Sequence, residues 1–546
     1  MLAVSPSLGT LTVAPDGFTP AERVTLDPGV APSLLALAPG ESTQLAAWPL
    51  EPGRRGDVFL MRRDVYAPGA EIKVIDGDAS RQAPRSNLAF YFGEVVGDEA
   101  SRVLISIDPE TTRLRSFVGT SEGWTELRPL EEERAGDYLL SPAAGFLDPA
   151  QEPAGFTCEP GPSDLTDEDT VLPQSTTPRS GAPAAPAALR QMTLAADTDN
   201  EFMGLKFLDN TENATDYIAE LVALMSVIYE RDLEVRLLLG TTILRVSTTP
   251  DPYVQGGGGN ADSAKLTEFR NYWQANYAGV SRGAAMLLSG KQTSASSASG
   301  IAYVNSLCTT NRGYSFSQVF KYNNSNAASD TKLVAHEVGH NFGSSHTHCY
   351  LDPTPIDTCY NGESGCYSGP TSCPAPQTIN GVSNVRGTLM SYCHTLSGCS
   401  ASAVFHPRTV ELLDPIVASK EGVCVFPVAG TNPKEASPSG TMTAQRVTST
   451  TVSVAYTPAC GATQHTVYAG NLDTLQAEGL VWSQRYCSLG ASGNLSFSPS
   501  GNVYFVVAGN NGTTEGSYGQ GTAGERPAAG TGGACSYTQD LSGTCP

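Results

Sequence analysis

The chain lacks any run of about 20 apolar residues, so its sequence predicts no membrane-spanning helix. Positive charge is also scarce. Its 33 lysines and arginines are outnumbered by 55 aspartates and glutamates, for a formal net charge of −22 over 546 residues. This shortage argues against nucleic-acid binding, because phosphate contacts need lysine and arginine. Histidine is limited to seven residues, so any grouping of histidines is informative.

Cysteine, in contrast, is abundant, with 13 residues. Two common intracellular uses of cysteine, the C-x-x-C zinc knuckle and the thioredoxin motif, are absent from the sequence. The cysteines therefore predict disulfides and a secreted, extracellular protein. The first eight residues have neither a basic segment nor a full apolar core, so the sequence predicts no signal peptide there and secretion is inferred from cysteine alone.

Six of the seven histidines lie between His336 and His406, and residues 336–346 have the spacing H-E-x-x-H-x-x-G-x-x-H. We predict a helix over residues 331–340 with Asp330 as its N-cap. His336 and His340 then lie one above the other on one helix face. Gly343 can adopt positive φ and turn the chain back. His346 can thereby reach the same metal ion as a third ligand.

Three protein ligands leave one tetrahedral position open, which is typical of a catalytic zinc site. Glu337, beside the first ligand, is placed to take a proton from water whose pKa the metal has lowered to about 7. These features together predict a peptide hydrolase. The alternative is a helix with two surface histidines, which the continuation to Gly343 and His346 argues against.

Downstream, residues 387–392 read G-T-L-M-S-Y. With the extended histidine motif, this segment resembles the metzincin metallopeptidases. Asn341 and the segment 300–308 resemble the reprolysin (adamalysin-like) branch, and the resemblance covers residues 191–425. It implies a Zn²⁺ cofactor, a general base, a methionine floor beneath the metal and three zinc ligands. The corresponding residues are Glu337, Met390, His336, His340 and His346.

Two residues depart from the reprolysin pattern. Reprolysins usually have Asp after the third histidine, whereas Thr347 here resembles the pappalysin branch. Tyr392, two residues after Met390, matches the spacing of the switch tyrosine of astacins and serralysins. That resemblance implies a phenol that reaches the metal or the tetrahedral intermediate. The alternative is an aromatic residue packed in a turn.

The sequence predicts an α+β multidomain protein. Residues 1–158 form a β-rich pro-domain resembling that of reprolysins, or alternatively an independent β-rich binding domain. Residues 159–188 are a linker rich in Pro, Ser, Thr and Asp that contains the activation cleavage. Residues 189–427 form the metzincin-like catalytic domain, a twisted, mostly parallel sheet with helices. A linker at 428–440 precedes a small β-sandwich-like domain at 441–546, which we expect to bind substrate or a surface.

Cys158 stands alone before the first linker, and the other 12 cysteines divide into eight in the peptidase region and four in the tail. Both sets can pair internally. The family resemblance suggests that Cys308 pairs with Cys424. A thiolate on a pro-segment can occupy the open zinc position. Metzincin pro-regions use such a cysteine switch, so we predict this role for Cys158. The alternative is an unpaired or intermolecularly bridged cysteine.

Two further expectations concern the catalytic domain. By resemblance, residues 300–307 form the edge strand along which an extended peptide adds its backbone. The acidic residues Asp197, Asp199 and Glu201 are predicted to be solvated in preference to binding calcium.

We therefore predict a secreted zinc endopeptidase, made as a latent precursor, that acts on protein or peptide substrates. One alternative is a pappalysin-like metzincin, which Thr347 favours. The other is a non-catalytic binding or adhesion protein on a peptidase scaffold. The intact Glu337 argues against this last alternative, because inactive relatives typically lose the base or a ligand.

Overall fold

In the computed structural model of the chain, the helix that carries the histidine motif contacts a nine-stranded sheet. The structure describes residues 2–3, 10–13, 20–130, 136–143, 157–158, 189–254, 261–291, 299–319, 327–428 and, with short gaps, 433–541. The chain divides into two units. The α/β unit comprises Val65–Ser86 and Ala143–Phe426, and the β-rich unit comprises Met1–Asp64, Asn87–Pro142 and Pro427–Pro546.

The strands of the α/β unit are β1 (Ile72–Asp76), β2 (Ala79–Ala83), β3 (Thr157–Cys158), β4 (Arg190–Thr198), β5 (Val235–Arg245), β6 (Ala284–Ser289), β7 (Ser299–Ala302) and β8 (Tyr314–Gln318). They are ordered β3-β7-β8-β6-β4-β5-β1-β2, and a ninth strand, Val425–Pro427, pairs with β4. The pairs β1–β2 and β7–β8 are antiparallel. The other five pairs along this order are parallel, as the sequence predicts.

The helices of this unit are α1 (Thr211–Leu233), α2 (Ser263–Asn276), α3 (Ala327–Phe342) and α4 (Pro407–Ser419). Shorter elements are the π-helical turn Phe202–Lys206, the 3-10 turns Thr347–Cys349 and Cys393–Thr395, and the hairpin Gln377–Ile379 with Val382–Val385. The side chains of Asn210 and Asp262 accept hydrogen bonds from backbone N–H groups in the first turns of α1 and α2. Every residue of β6 is buried, as expected for a parallel strand covered on both faces.

Two acidic residues near the end of β4 are fully buried, so the prediction that they are solvated is wrong. Asp197 accepts hydrogen bonds from Arg245, Tyr253 and Trp273. Asp199 accepts bonds from backbone N–H groups and lies 3.7 Å from the Lys291 ammonium. Burial raises the pKa of Asp199 to about 6, although the nearby Lys291 opposes the shift. These partners occupy the carboxylates because the strand carries them into the core.

The β-rich unit contains two groups of strands. The first is a ten-stranded sheet, antiparallel except where Leu2–Ala3 pairs with Ser42–Glu51. Its strands are Leu2–Ala3, Thr10–Val13, Pro20–Thr25, Ser42–Glu51, Arg54–Arg63, Ala89–Val95, Asp98–Ile107, Leu114–Thr120, Gly123–Pro129 and Asp137–Pro142, with a helix at Val30–Leu35. The alternating apolar residues at 87–96, 101–107 and 113–119 predict strands, and three of the observed strands lie there.

The second group lies in the tail. A three-stranded and a five-stranded sheet there share one apolar cluster that includes Val454, Val467 and Val507. The strands are Thr443–Arg446, Val452–Ala455 and Asn494–Phe497, then Gln464–Asn471, Gln484–Tyr486, Val503–Asn510, Thr514–Glu515 and Thr538–Gln539. A small pair, Gln520–Gly521 with Gly524–Glu525, and a helical turn, Leu475–Glu478, complete the tail.

One segment of the first 158 residues departs from the predicted domain order. Val65–Ser86 lies in the α/β unit and supplies β1 and β2 to its sheet, whereas the residues on either side belong to the β-rich unit. The spacing of residues in the sequence does not predict that this segment joins the sheet of the α/β unit, because strand partners are chosen by tertiary packing. Within the described residues, no helix combines the length and apolarity needed to cross a membrane.

The Asp197 network yields a stability prediction. Replacing Asp197 with Ala leaves the Arg245 guanidinium buried without its carboxylate, and breaking such a pair costs about 3–5 kcal/mol. Urea unfolding, followed by limited proteolysis of the α/β unit, should show that the free energy of unfolding falls by this amount. The exposed Glu411 on α4 is the matched control, and Glu411→Ala should change stability by less than about 0.5 kcal/mol. Equal, small effects of both substitutions would contradict a structural role for this network.

Candidate metal centre

The helix that carries the histidine motif begins earlier than the sequence predicts. It starts at Ala327, so Asp330 lies in its first turn and the prediction that Asp330 is the N-cap is wrong. The Asp330 carboxylate is fully buried, accepts a hydrogen bond from Tyr217 at 2.5 Å and pairs with the Lys206 ammonium at 3.3 Å. A capping role requires a position at the helix boundary, whereas this helix extends beyond Asp330 and the carboxylate anchors it to neighbouring elements of the core.

The three motif histidines converge through their Nε2 atoms. His340 Nε2 lies 3.1 Å from His336 Nε2 and 3.2 Å from His346 Nε2. His336 and His340 are four residues apart on α3, as the spacing predicts. All three rings are buried and form a group able to hold a metal ion.

A tight turn at the end of α3 returns the chain to this point. Gly343 has φ +120°, and a Cβ there would lie 2.6 Å from Ile416 Cδ1. The Gly343 N–H donates to His340 O, and the Ser344 N–H donates to Gly339 O. This pair of bonds is the Schellman arrangement, for which glycine is favoured. The turn carries His346 back to the helix face, as the sequence predicts.

Each histidine is held by its other ring nitrogen. His336 Nδ1 bonds Leu389 O, His340 Nδ1 bonds Ser344 O and His346 Nδ1 bonds the Glu363 carboxylate, each at 2.7 Å. Acceptors at all three Nδ1 atoms place a proton there, which makes each Nε2 the unprotonated nitrogen that can bind a metal. Burial lowers the pKa of His336 well below its usual value and that of His340 to about 3, with the neighbouring histidines adding to the effect. The rings are therefore neutral, the form in which imidazole binds metals.

The spacing of these nitrogens suits a tetrahedral ion. Metal–nitrogen bonds of about 2.0–2.1 Å place ligand nitrogens roughly 3.3–3.4 Å apart in a tetrahedron. The observed 3.1 and 3.2 Å separations require only a small adjustment. Three imidazoles are a donor set that zinc accepts, and a fourth position is left for water or substrate.

Glu337 is fully buried next to the first histidine and faces the edge strand β7. A Cβ at Gly300 in β7 would overlap the Glu337 carboxylate, so glycine at this position is what allows the close approach. The carboxylate therefore lies directly against the strand predicted to bind substrate. Its burial withholds it from bulk water, which strengthens its interactions with nearby charge.

Asn341 connects the helix to the segment that follows β7. Its side-chain amide donates to Tyr303 O at 3.0 Å, Ser306 Oγ at 3.1 Å and Tyr314 O at 2.9 Å. The residue that carries part of the family resemblance thus has a structural role here, because it fixes the helix and the edge strand relative to each other.

Met390 and Tyr392 lie on the segment beneath and beside the histidines. A Cβ at Gly339 would lie 2.7 Å from Met390 Sδ, so the methionine packs directly against the helix backbone between the first two histidines. The Thr347 N–H donates to Met390 O at 3.0 Å. The Tyr392 ring is buried with its centroid 4.4 Å from that of His346. Met390 therefore packs on the helix that carries the first two histidines and Tyr392 lies beside the third, while the roles expected of both residues stay predictions.

Glu363 is a residue of this site that the sequence analysis missed. Its carboxylate accepts from His346 at 2.7 Å and from His348 at 2.8 Å. Burial alone would raise the pKa of Glu363, but these two hydrogen bonds hold it well below its usual range. Glu363 lies in the loop closed by the Cys349–Cys366 disulfide. That loop has two other acidic residues, Asp352 and Asp357. The sequence alone therefore does not indicate which of the three carboxylates bonds His346.

The remaining histidines near the motif in sequence have other contacts. His348 bonds Glu363, and the His406 side chain accepts from Arg408 N at the start of α4. His394 lies beside Tyr392, with ring centroids 6.1 Å apart. None of the three belongs to the group formed by the motif histidines.

The predicted Cys308–Cys424 disulfide is present. The other six peptidase-region cysteines also pair with one another, as Cys349–Cys366, Cys359–Cys393 and Cys373–Cys399. In the tail Cys487 pairs with Cys535, whereas Cys460 and Cys545 lie outside the described residues. Three of these bridges order the loop-rich segment around Tyr392, which has little apolar core of its own.

Cys158 lies on the edge of the sheet next to β7. Thr157 pairs with Ser299 and Cys158 with Gly300, in parallel orientation. The backbone of Cys158 therefore lies opposite the glycine that adjoins Glu337. The predicted linker at 159–188 lies outside the described residues.

Comparison with protein-family models agrees with this geometry. Residues 188–398 match the family model of metallo-peptidase family M12. Among solved structures, metalloproteinase-II from Bacteroides fragilis is similar at 11% identity and a TM-score of 0.31, over 58% of this chain and 85% of that one. A search of the curated proteins found no match. The family match indicates a metal-dependent peptidase region that acts on protein or peptide substrates.

The hydrogen bond between Glu363 and His346 should strengthen metal binding at the site. Replacing Glu363 with Ala removes the group that orients His346, and loss of such a partner typically weakens metal binding 10–100-fold. Competition between the protein and a chromophoric chelator for added Zn²⁺ would measure this change. The control is Glu411→Ala on the exposed face of α4, which should bind metal as the wild type does. Unchanged affinity in a folded Glu363→Ala protein would contradict the orienting role.

Proposed function

We propose that the chain is a secreted, zinc-dependent endopeptidase made as a latent precursor. The observation that carries the proposal is the convergence of three imidazole Nε2 atoms beside a buried glutamate and a sheet edge. His336, His340 and His346 would hold the zinc ion. Glu337 would act as the general base. The M12 family match over residues 188–398 supports the same activity.

Substrate would bind as an additional strand on β7. The residues of β7 lie at one side of the nine-stranded sheet, where β3 is the only strand beyond them among the described residues. A peptide in the place of β3 would form main-chain hydrogen bonds with β7, which tolerate many sequences. Its backbone would pass opposite Gly300, and the absence of a side chain there would let the scissile bond approach Glu337.

Zinc at this site supplies a Lewis acid that polarises the scissile carbonyl and lowers the pKa of water. Glu337 takes a proton from the attacking water and later delivers it to the leaving amine. Tyr392, whose ring adjoins His346, donates a hydrogen bond to the developing oxyanion. Met390 supports the helix beneath the histidines, and Glu363 holds His346 in orientation. Each residue thus has one role in positioning or proton transfer.

Latency would follow from the position of β3. With Cys158 paired to Gly300, the pro-segment occupies the edge on which substrate would bind. A thiolate at this point can bind the open metal position and exclude water. Cutting the chain in the 159–188 linker would then free β3 to leave the edge. We expect the activating protease to cut this linker, because a segment rich in Pro, Ser, Thr and Asp is typical of an exposed connection between domains.

The branch within the metzincins and the cellular location are parts of the same proposal. Asn341 favours the reprolysin branch, while Thr347, which donates to Asp357 and to Met390 O, favours the pappalysin branch. The disulfides support an oxidising, extracellular location. The tail at 441–546 is proposed to bind substrate or a surface. A non-catalytic binding protein remains the alternative, and the activity assay below discriminates it.

Substitution of the proposed base tests the activity. Glu337→Gln should lower casein cleavage by a factor of about 10²–10⁴, because proton transfer by a positioned side chain contributes that much. The assay would use the full chain cut at an engineered site in residues 159–188, and the uncut chain carrying Cys158→Ser. Chelation should abolish wild-type cleavage and added Zn²⁺ should restore it.

The matched control is Glu411→Gln on the exposed face of α4, which should retain wild-type activity. Equal cleavage by wild type and Glu337→Gln would contradict the role of the base. Absence of cleavage in a folded, zinc-loaded wild-type chain would favour the binding-protein alternative.

Substitution of Cys158 tests latency. In the uncut chain Cys158→Ser removes the proposed zinc-binding thiolate, so casein cleavage should rise from near background towards that of the cut enzyme. Gel electrophoresis must show that the chain stays intact during the assay. The neighbouring Thr157→Ser is the control and should remain latent. If the intact Cys158→Ser and wild-type chains cleave at the same rate, Cys158 does not provide latency.

A further inference from the structure

Residues 65–86 form an excursion from the amino-terminal sheet. The strands that precede and follow the excursion, Arg54–Arg63 and Ala89–Val95, pair with each other in that sheet. The excursion is closed at its own base, because the Ser86 N–H donates to the Tyr66 hydroxyl at 3.0 Å. Arg85 also donates to Ala70 O, at 2.7 and 3.0 Å. The segment is therefore a defined loop that carries β1 and β2 into the α/β unit.

Main-chain hydrogen bonds join this segment to β5. Four consecutive residues of β1 pair in parallel with four of β5, from Ile72 opposite Thr242 to Ile75 opposite Arg245. The Thr242 N–H donates to Glu71 O at 2.8 Å and the Val246 N–H to Ile75 O at 3.1 Å. Further bonds lie on either side of this register: Leu239 N–H to Val65 O, Ala67 N–H to Leu239 O, and Gly77 N–H to Thr249 Oγ1.

The segment also contributes to the apolar core. Ile72 and Val74 are fully buried, and Ile75 packs against the cluster that contains Phe269 and Trp273 of α2. The outer strand β2 is exposed along four of its five residues. Polar side chains there, including Arg81 and Gln82, suit an edge that does not recruit further strands. The hairpin thus buries its inner strand and protects the edge of the sheet.

The described residues of the amino-terminal region pair with the sheet of the α/β unit at two places. At the opposite edge of the sheet, Thr157 and Cys158 of β3 pair with β7. At this edge, β1 has a four-residue register, flanking hydrogen bonds and two fully buried side chains. These contacts of β1 do not depend on an intact linker, so a cut there leaves them in place.

We propose that β1 and β2 remain part of the peptidase sheet after activation, so that the active enzyme is a two-chain protein. Its partner is the amino-terminal fragment itself, bound through the edge of β5. The inference rests on the proposed cut within residues 159–188. Removing the fragment would expose the edge of β5, an 11-residue strand, and such an edge recruits other chains.

Size-exclusion chromatography of the cut full chain tests the inference without using activity. A site for a sequence-specific protease would be placed at residues 166–172, in a Glu337→Gln background that prevents self-digestion. After cutting, both fragments should elute together at the volume of the uncut chain, even after dilution to nanomolar concentration, and should separate only in denaturant. Elution of the amino-terminal fragment by itself in native buffer would overturn the inference.

A substitution in β1 identifies the contact responsible. Elution by itself does not identify this contact, because the amino-terminal sheet and the tail belong to one unit. Val74→Asp places a carboxylate at a fully buried position, so in the cut chain the amides of Thr242 and Val246 should lose their protection from hydrogen exchange. Gln82→Asp introduces the same side chain on the exposed β2 and should leave both amides protected. Unchanged protection of these amides in a cut Val74→Asp chain would overturn the role of β1.

Hydrogen exchange gives a second measurement that needs no substitution in the segment. The amides of Thr242 and Val246 donate to β1 and its flank in the uncut chain. They should exchange within tenfold of the same rate after cutting. Loss of their protection, while the amides of α1 stay protected, would show that β1 has left and would overturn the inference. Neither readout depends on catalysis, so failure of the peptidase assay and failure of this inference are distinguishable.

Discussion

The site depends on how three imidazoles are held before any metal binds. Each Nδ1 has a fixed acceptor, so each Nε2 lone pair is directed to one point. The acceptors come from separate parts of the chain: the segment before Met390, the turn after α3 and the disulfide-closed loop that carries Glu363. Assembling neutral, oriented ligands in a buried place costs free energy that folding supplies in advance, so a metal gains affinity from a preorganised set. Most other features of the α/β unit can be understood as support for these three positions.

The support is built largely from buried polar groups. Asp330 anchors the start of α3 through Lys206 and Tyr217, and Asn341 anchors its end to the segment after β7. Asp197 fixes the far end of β4 through Arg245. Such groups are expensive to bury unless every partner is present, so they specify one arrangement of helix and sheet. A catalytic helix needs this specificity, because displacement of a ligand or base by about 1 Å can cost roughly 100-fold in rate.

Both side edges of the peptidase sheet are covered by residues that precede the linker. At one edge β3 lies on β7, opposite Gly300, and at the other β1 lies on β5. The first contact lies where substrate is proposed to bind, which suits the proposed removable inhibitor. The second is long and partly buried, which suits a structural component. One region of chain can therefore regulate the site at one edge and complete the fold at the other.

The sequence by itself determined the histidine site, because its geometry is local. Residues four apart on a helix share a face, and a glycine three residues later allows the return that brings in His346. The helix that carries the motif, the mostly parallel sheet of the catalytic region and the strands at residues 87–119 also followed from local periodicity. Tertiary structure alone decided the burial of Asp197 and Asp199, the choice of Glu363 among three acidic residues of its loop, and the exchange of residues 65–86 between units. These features depend on which distant segments meet, and that choice is made by packing and strand pairing over the whole chain, which local residue spacing does not encode.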